Sequence, residues 1–271
     1  MSETAPRAII FDISGTLRWQ RTPIPGAVEA VAACRAMGLA IRCVSNNASE
    51  SPRQVAGWLQ QHGFDLKESE VLTANELAGQ YVAKRFRGKR VMALGSATLH
   101  TTVEQHGARL SDAAPVDAVV AGLGFTGSVD LDAIDRGIEA IRLGAAFLAI
   151  GPDEWNPIGE TRFVPGVGSF STAIAHATGR RPTLMGKPGP WAAGRVLESL
   201  GVSGREIVVV GDHLASDVVF GQRLGARTAL VLTGCTLPWE VPAIRVSKQP
   251  PTVVLNDVAE LPGWLESLLA G

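Results

Sequence analysis

The chain has 271 residues, with 25 basic and 26 acidic side chains, a formal charge of −1, and 46% hydrophobic residues. That is enough apolar sequence for one large α/β domain, or for a core with a smaller second domain, and it excludes a disordered chain. The near-neutral charge gives no reason to expect nucleic acid or an anionic membrane as partner, and no apolar run reaches the roughly 18 residues of a membrane span.

Short runs rich in Val and Ile, each closed by Gly, Ser, Asn or Asp, predict buried parallel strands at 8–11, 40–44, 90–94, 117–121, 146–150, 183–185, 206–210, 228–232 and 252–255. Between them, amphipathic segments such as 27–37, 52–62, 131–143 and 190–200 predict helices. A strand–helix–strand rhythm implies a doubly wound, Rossmann-like parallel sheet with helices on both faces. Nine strands are many for one sheet in a chain of this length, and three of them fall between Gly79 and Gly179. A smaller inserted α/β layer is therefore expected there, with the flanks forming one core. The proline-rich stretch 238–251 reads as a surface loop before the last strand. Cys34, Cys43 and Cys235 have neither zinc spacing nor a disulfide framework, and the N-terminus lacks a signal-peptide pattern, so a reducing, cytoplasmic setting is expected.

Four strand ends carry chemistry, and doubly wound folds bind ligands beyond the carboxyl ends of their strands. The first, Phe11-Asp12-Ile13-Ser14-Gly15-Thr16, offers a carboxylate nucleophile, with a glycine that lets a phosphate approach the backbone. By itself it equally suits a turn cap. The second, Val44-Ser45-Asn46-Asn47, offers a hydroxyl and amides to phosphoryl oxygens, or a simple polar turn. The third, Met185-Gly186-Lys187-Pro188, offers a lysine point charge, or a solvated lysine before a helix. The fourth, Val210-Gly211-Asp212 with Asp217 five residues on, is the most specific. Two carboxylates after so apolar a strand suit Mg²⁺, which takes one or two carboxylates plus water and substrate phosphate.

This order of Asp, Ser-Asn, Lys and Gly-Asp…Asp resembles the haloacid dehalogenase (HAD) hydrolases. More narrowly it resembles their NagD-like, 4-nitrophenylphosphatase-like branch, to which Pro165-Gly166-Val167-Gly168-Ser169 and Leu232-Thr233-Gly234 are also similar. The resemblance implies a core at 1–78 and 180–271, and an α/β cap that sets substrate specificity at 79–179. It implies Asp12 as a nucleophile that becomes a phospho-aspartate, Ser45 and Asn46 as phosphate-binding, and Lys187 as charge-stabilising. It implies Mg²⁺ held by Asp12, Asp212, Asp217 and the backbone carbonyl of Ser14. It places substrate contacts in the cap, where Trp155 and Asn156 are candidates against ordinary packing. Trp19 carries the same ambiguity.

One departure matters. Phosphatases of this family carry a second Asp two residues after the nucleophile as general acid and base, and this chain has Ser14 there. The Asp-Ile-Ser-Gly start also resembles the phospholysine phosphohistidine inorganic pyrophosphate phosphatases. The leading expectation is a Mg²⁺-dependent phosphatase acting on a small phosphorylated substrate. The alternatives are a phosphoryl-ligand binding protein with weakened catalysis, favoured by Ser14, and a dehalogenase, disfavoured because halide displacement needs no Mg²⁺. The sequence leaves open whether the protein is a homo-oligomer.

Two competing signals are set aside. Residues 122–127 fit GxGxxG after a strand, but no acidic residue ends the next strand at Ile150, so a turn is preferred to a dinucleotide site. The five histidines show no metal spacing; His213, beside Asp212, is read as lining the mouth of the site or as a loop histidine.

Overall fold

The computed structural model describes residues 4–124, 130–158 and 162–269. Strand β1 (Ala8–Phe11) leads to a small ribbon of β2 (Arg18–Trp19) and β3 (Thr22–Pro23), then α1 (Ala27–Ala36), β4 (Ala40–Ser45), α2 (Pro52–Gln61), β5 (Val71–Thr73) and α3 (Ala74–Arg85). There follow β6 (Arg90–Gly95), α4 (Ala97–Gln105), β7 (Arg109–Leu110), β8 (Ala118–Gly122), α5 (Leu131–Arg142) and β9 (Ala146–Ala149). A hairpin of β10 (Trp155–Pro157) and β11 (Phe163–Pro165) precedes α6 (Val167–Thr178) and β12 (Thr183–Leu184). The chain closes with α7 (Pro190–Leu200), β13 (Ile207–Gly211), α8 (Val219–Leu224), β14 (Arg227–Val231), α9 (Val241–Arg245), β15 (Val253–Leu255) and α10 (Leu261–Leu269).

Two parallel sheets result. The larger has the order β15-β14-β13-β1-β4-β5 and the smaller β12-β9-β8-β6-β7. Every residue of β1 and β13 is buried, because both faces of the larger sheet are covered. Alternation divides them. Ile9, Phe11, Val208 and Val210 pack with α1, α2 and α10 on one face, and Ala8, Ile10 and Val209 with α7 and α8 on the other. The smaller sheet is covered in the same way. Val91, Ala93 and Val120 face α3 and α4, while Met92, Leu94 and Val119 face α5 and α6.

The structure corrects three details of the sequence reading. Thr183–Leu184, expected with the flanking core, pairs with β9 in the smaller sheet. The boundary expected at residue 78 falls inside α3, whose Ala74, Ala78 and Val82 pack with the smaller sheet while Leu77 packs with the larger. Residues 238–251 are not only loop: α9 lies among them and buries Ile244. Among the described residues, no helix is long and apolar enough to cross a membrane.

Glu70, just before β5, fixes this strand to α1. Its carboxylate accepts hydrogen bonds from Arg35 at 3.1 and 2.9 Å and from the Lys67 N–H at 2.8 Å. Burial raises its pKa, but the hydrogen bonds from Arg35 and Lys67 outweigh burial and hold the carboxyl below the ordinary glutamate range. A depressed folded-state pKa gives stability that is present above the unfolded value of about 4.3 and lost as pH falls through the lower folded value. Glu70→Gln is therefore expected to lose about 1–2 kcal/mol at pH 7. The gap to wild type should close below about pH 4 in chemical denaturation. A gap independent of pH would mean that the charge contributes nothing.

Candidate active site

The register of the larger sheet brings the predicted groups to one edge. Phe11 is paired with both Val210 and Cys43, so Asp12, Ser45 and Asp212 emerge from adjacent strands β1, β4 and β13. The Asp12 N–H donates to the Val210 carbonyl at 2.8 Å, which carries the ladder one residue past β1. Gly15 has φ +82°, and a Cβ there would collide with the Asp212 carboxylate, as would one at Gly234. Only glycine allows both loops to close over that carboxylate. After Asp212 the chain makes a π-helical turn over Leu214–Val218. That turn returns Asp217 to the site, where its Oδ2 accepts the His213 N–H at 3.0 Å.

Lys187 lies among these carboxylates and is 1% exposed. Its Nζ donates to Asp12 Oδ1 at 2.5 Å and to Asp217 Oδ1 at 2.6 Å. Burial pulls its pKa down, but the charges of Asp12 and Asp217 outweigh burial and hold the ammonium above the ordinary lysine range. Burial pushes the Asp12 carboxyl up to about 7; Lys187 opposes the shift and Asp217 adds to it. Burial, then Asp12 and Asp217, push Asp212 well above the ordinary range.

Three buried carboxylates thus face one ammonium, an excess of negative charge that a buried site does not tolerate uncompensated. Ligand oxygens of Asp12, Asp212 and Asp217 lie within 4.8 Å of one another. Asp12 Oδ1 accepts from the Lys187 ammonium and Asp212 Oδ2 from the Cys235 N–H. Hard oxygen donors this close together and in excess of positive charge fit a divalent cation of the Mg²⁺ type.

The edge opens into a cleft of about 1150 Å³ between the two sheets. Ser14 and Ser45 line it, and so do Trp155 and Asn156 of the β10–β11 hairpin. Trp155 is 43% exposed and stands edge-on to Phe163 at 6.4 Å. Trp19 instead packs on the core and donates from Nε1 to the Thr233 carbonyl at 2.6 Å. His213 lines the cleft 3.5 Å from Glu154. Gly122 ends β8 and Gly124 faces the cleft, while the remainder of the GxGxxG stretch, Phe125 to Gly127, lies outside the described residues.

Asn46, expected to bind phosphate, also engages the protein. Its side chain spends its hydrogen bonds on protein: Oδ1 accepts the Lys187 N–H at 2.8 Å, and Nδ2 donates to the Lys187 carbonyl at 2.9 Å and to Asp153 at 3.1 Å.

A family model for haloacid dehalogenase-like hydrolases matches residues 9–109, and a second, HAD-hydrolase-like model matches residues 184–261. Acid sugar phosphatases of Staphylococcus aureus are 30% identical over 260 residues, which cover 96% of this chain and 98% of theirs. The chain belongs to the haloacid dehalogenase-like hydrolases. A p-nitrophenyl phosphatase from Archaeoglobus fulgidus superposes with a TM-score of 0.86 at 28% identity, covering 96% of this chain and 100% of that one. NagD from E. coli superposes at 0.80 and 27% identity, with coverage of 95% and 98%. A glycerol phosphate phosphatase from Mycobacterium tuberculosis, solved in complex with magnesium, superposes at 0.80 and 30% identity, with coverage of 94% and 76%. This HAD hydrolase is a phosphatase.

Sequence reasoning about the HAD motifs passed over two residues at the site. Cys235 donates its N–H to Asp212 Oδ2 at 2.6 Å, and its Sγ lies 3.6 Å from the Trp155 carbonyl, so it touches both the acidic cluster and the hairpin. Nothing local in Gly234-Cys235 announces this. Asp153 lines the cleft and is 8% exposed. Burial raises its carboxyl pKa, while the nearby His213 and Lys187 pull it down. It had a legible signal, because it follows the apolar strand β9 within a few residues, as Asp12 follows β1.

Proposed function

We propose that this HAD phosphatase is Mg²⁺-dependent and hydrolyses a small phosphorylated substrate through a phospho-aspartate on Asp12. The observation that supports this most is the buried cluster of Asp12, Asp212 and Asp217 around the Lys187 ammonium, at the carboxyl edge of the larger sheet. Asp12 attacks phosphorus and the leaving-group oxygen departs with the bonding pair. Water then cleaves the acyl phosphate and regenerates the carboxylate. Lys187 neutralises Asp12 and the phosphoryl oxygens as charge spreads over them. The Ser45 hydroxyl holds a phosphoryl oxygen, and Asn46 acts mainly by fixing the backbone of Lys187. Mg²⁺, held by Asp12, Asp212, Asp217 and the Ser14 carbonyl, supplies charge neutralisation at the transferring phosphoryl group. Trp155 and Asn156 contact the rest of the substrate from the cap.

The substrate class follows from two opposed observations. The relatives named above are acid sugar, nitrophenyl and glycerol phosphate phosphatases, which favours small phosphomonoesters. Ser14 favours leaving groups that depart without a proton, since a serine hydroxyl is a poor acid near neutral pH. We expect hydrolysis of a panel of phosphomonoesters, phosphoramidates and pyrophosphate to require Mg²⁺ and to depend steeply on leaving-group acidity, with aryl phosphates and phosphoramidates ahead of sugar phosphates. Ser14→Asp should raise turnover of alkyl esters by about 10²-fold and of aryl esters far less. Single-turnover rates separate the first step from hydrolysis of the intermediate. A flat leaving-group series in the first step would show that another group supplies the proton. No turnover of any ester, with phosphate still bound, would favour the binding-protein reading.

A further inference from the structure

Among the described residues, the buried carboxylates are Asp12, Asp212, Asp217, Glu70 and Asp153. The first three form the acidic cluster and Glu70 is paired with Arg35, which leaves Asp153 without an assigned role. Its hydrogen-bond donor is a neutral amide, Asn46 Nδ2 at 3.1 Å. A buried carboxylate hydrogen-bonded by an amide, with Lys187 and His213 acting on it only through space, calls for a reason.

The reason lies in where Lys187 is attached. Met185 N–H donates to the Ala149 carbonyl and Gly186 N–H to the Ile150 carbonyl, both at 2.8 Å. Pairing with the β9 segment thus continues to the residue before Lys187. The Lys187 backbone rides on the edge of the smaller sheet, while its ammonium engages carboxylates carried by the larger sheet. A small shift of one sheet against the other would draw Nζ away from Asp12.

Asn46, at the end of β4 in the larger sheet, bridges this gap. Its amide grips both the N–H and the C=O of Lys187, which leaves one N–H free, and that N–H goes to Asp153. Two glycines leave the amide its space. A Cβ at Gly186 would collide with Asn46 Oδ1, and one at Gly151 would come within 2.7 Å of Nδ2. Asp153 is itself anchored to the smaller layer, since its carbonyl accepts the Gly168 N–H at 2.9 Å at the start of α6.

We propose that Asp153 is a positioning residue, which through Asn46 sets the backbone of Lys187 and so couples the seating of the cap to phosphoryl transfer. The proposal rests on the role of Lys187 and Asp12 given above. What Asp153 contributes is a hydrogen-bond acceptor, and its charge is incidental.

The test is hydrolysis of 4-nitrophenyl phosphate with saturating Mg²⁺ by full-length Asp153→Ala, Asp153→Asn, Asn46→Ala and the Asp153→Ala/Asn46→Ala pair. Misplacing a catalytic group by about an ångström can cost on the order of 10²-fold. Asp153→Ala is expected to lower kcat by about 10- to 10²-fold, with KM and the melting temperature little changed. Asp153→Asn, whose amide oxygen still accepts, should recover kcat to within about threefold. In the Asn46→Ala background, Asp153→Ala should cost almost nothing more, because both act along one path. The proposal is overturned if Asp153→Asn is as impaired as Asp153→Ala, if the two losses add, or if Asp153→Ala changes KM alone. Asp12→Asn in the same assay keeps the two ideas apart: activity surviving there defeats the nucleophile assignment, whatever Asp153 does.

Discussion

Asp12→Asn is expected to lower turnover by at least about 10³-fold, more than about 4 kcal/mol of barrier, while the protein stays folded. The amide is isosteric and its oxygen still accepts from Lys187, which now donates to Asp12 at 2.5 Å. It cannot, however, form the acyl phosphate. A second readout has a definite sign. The Asp12 carboxyl is pushed up by burial to about 7 from an ordinary value of 3.8. Between these values the metal-free native state binds a proton that the unfolded chain has released, so stability falls as pH rises through the window and levels off above it. Asp12→Asn should remove that slope and leave the metal-free protein more stable at neutral pH. Residual turnover above a few per cent of wild type, measured with purified protein and a generic aryl phosphate, would end the assignment of Asp12 as nucleophile.

Removing the metal should be as severe. Chelation with EDTA is expected to abolish turnover, and Mg²⁺ at about 100 times its Kd should stabilise the protein by about 2.7 kcal/mol. Asp212→Asn separates the two effects of that carboxylate. In the metal-free protein it relieves repulsion, because burial, Asp12 and Asp217 all work against ionised Asp212. Its side-chain oxygen can still accept the Cys235 N–H. The variant should therefore be more stable than wild type without metal, by about 1–3 kcal/mol, and gain much less from Mg²⁺. Calorimetry with and without the ion checks both parts. Equal Mg²⁺ stabilisation in the two proteins would remove Asp212 from the metal site, and activity unchanged by EDTA would favour metal-free chemistry.

Nine of the strands, the doubly wound class and the groups at four strand ends were legible in the sequence, because each depends on local pattern. The short strands β2, β3, β5, β7, β10 and β11, of two or three residues each, carry too little pattern to read. A run such as Ile207–Gly211, buried on both faces, must be apolar throughout, and the turn that ends it must be polar. Parallel pairing brings Asp12, Ser45 and Asp212 to one edge, and Lys187 and Asp217 could be added to them before any coordinates only through the order of the motifs and the family it resembles. Trp155 and Asn156, suggested by the family resemblance for their place in the cap after a predicted strand, lie on β10 and line the cleft.

What the tertiary structure alone decided depends on pairings over long separations, which leave no periodic trace. Two-residue β12 has too little pattern to reveal which sheet it joins, and its pairing with β9 puts the Lys187 backbone on the cap. Asn46 reads as a phosphate ligand in its own segment. Its side-chain partners, Lys187 and Asp153, stand 141 and 107 positions away, and nothing in its own segment reveals them. Composition and spacing fix which side chains a strand end offers; only the packing of the two layers fixes which hydrogen bonds those side chains have left to give.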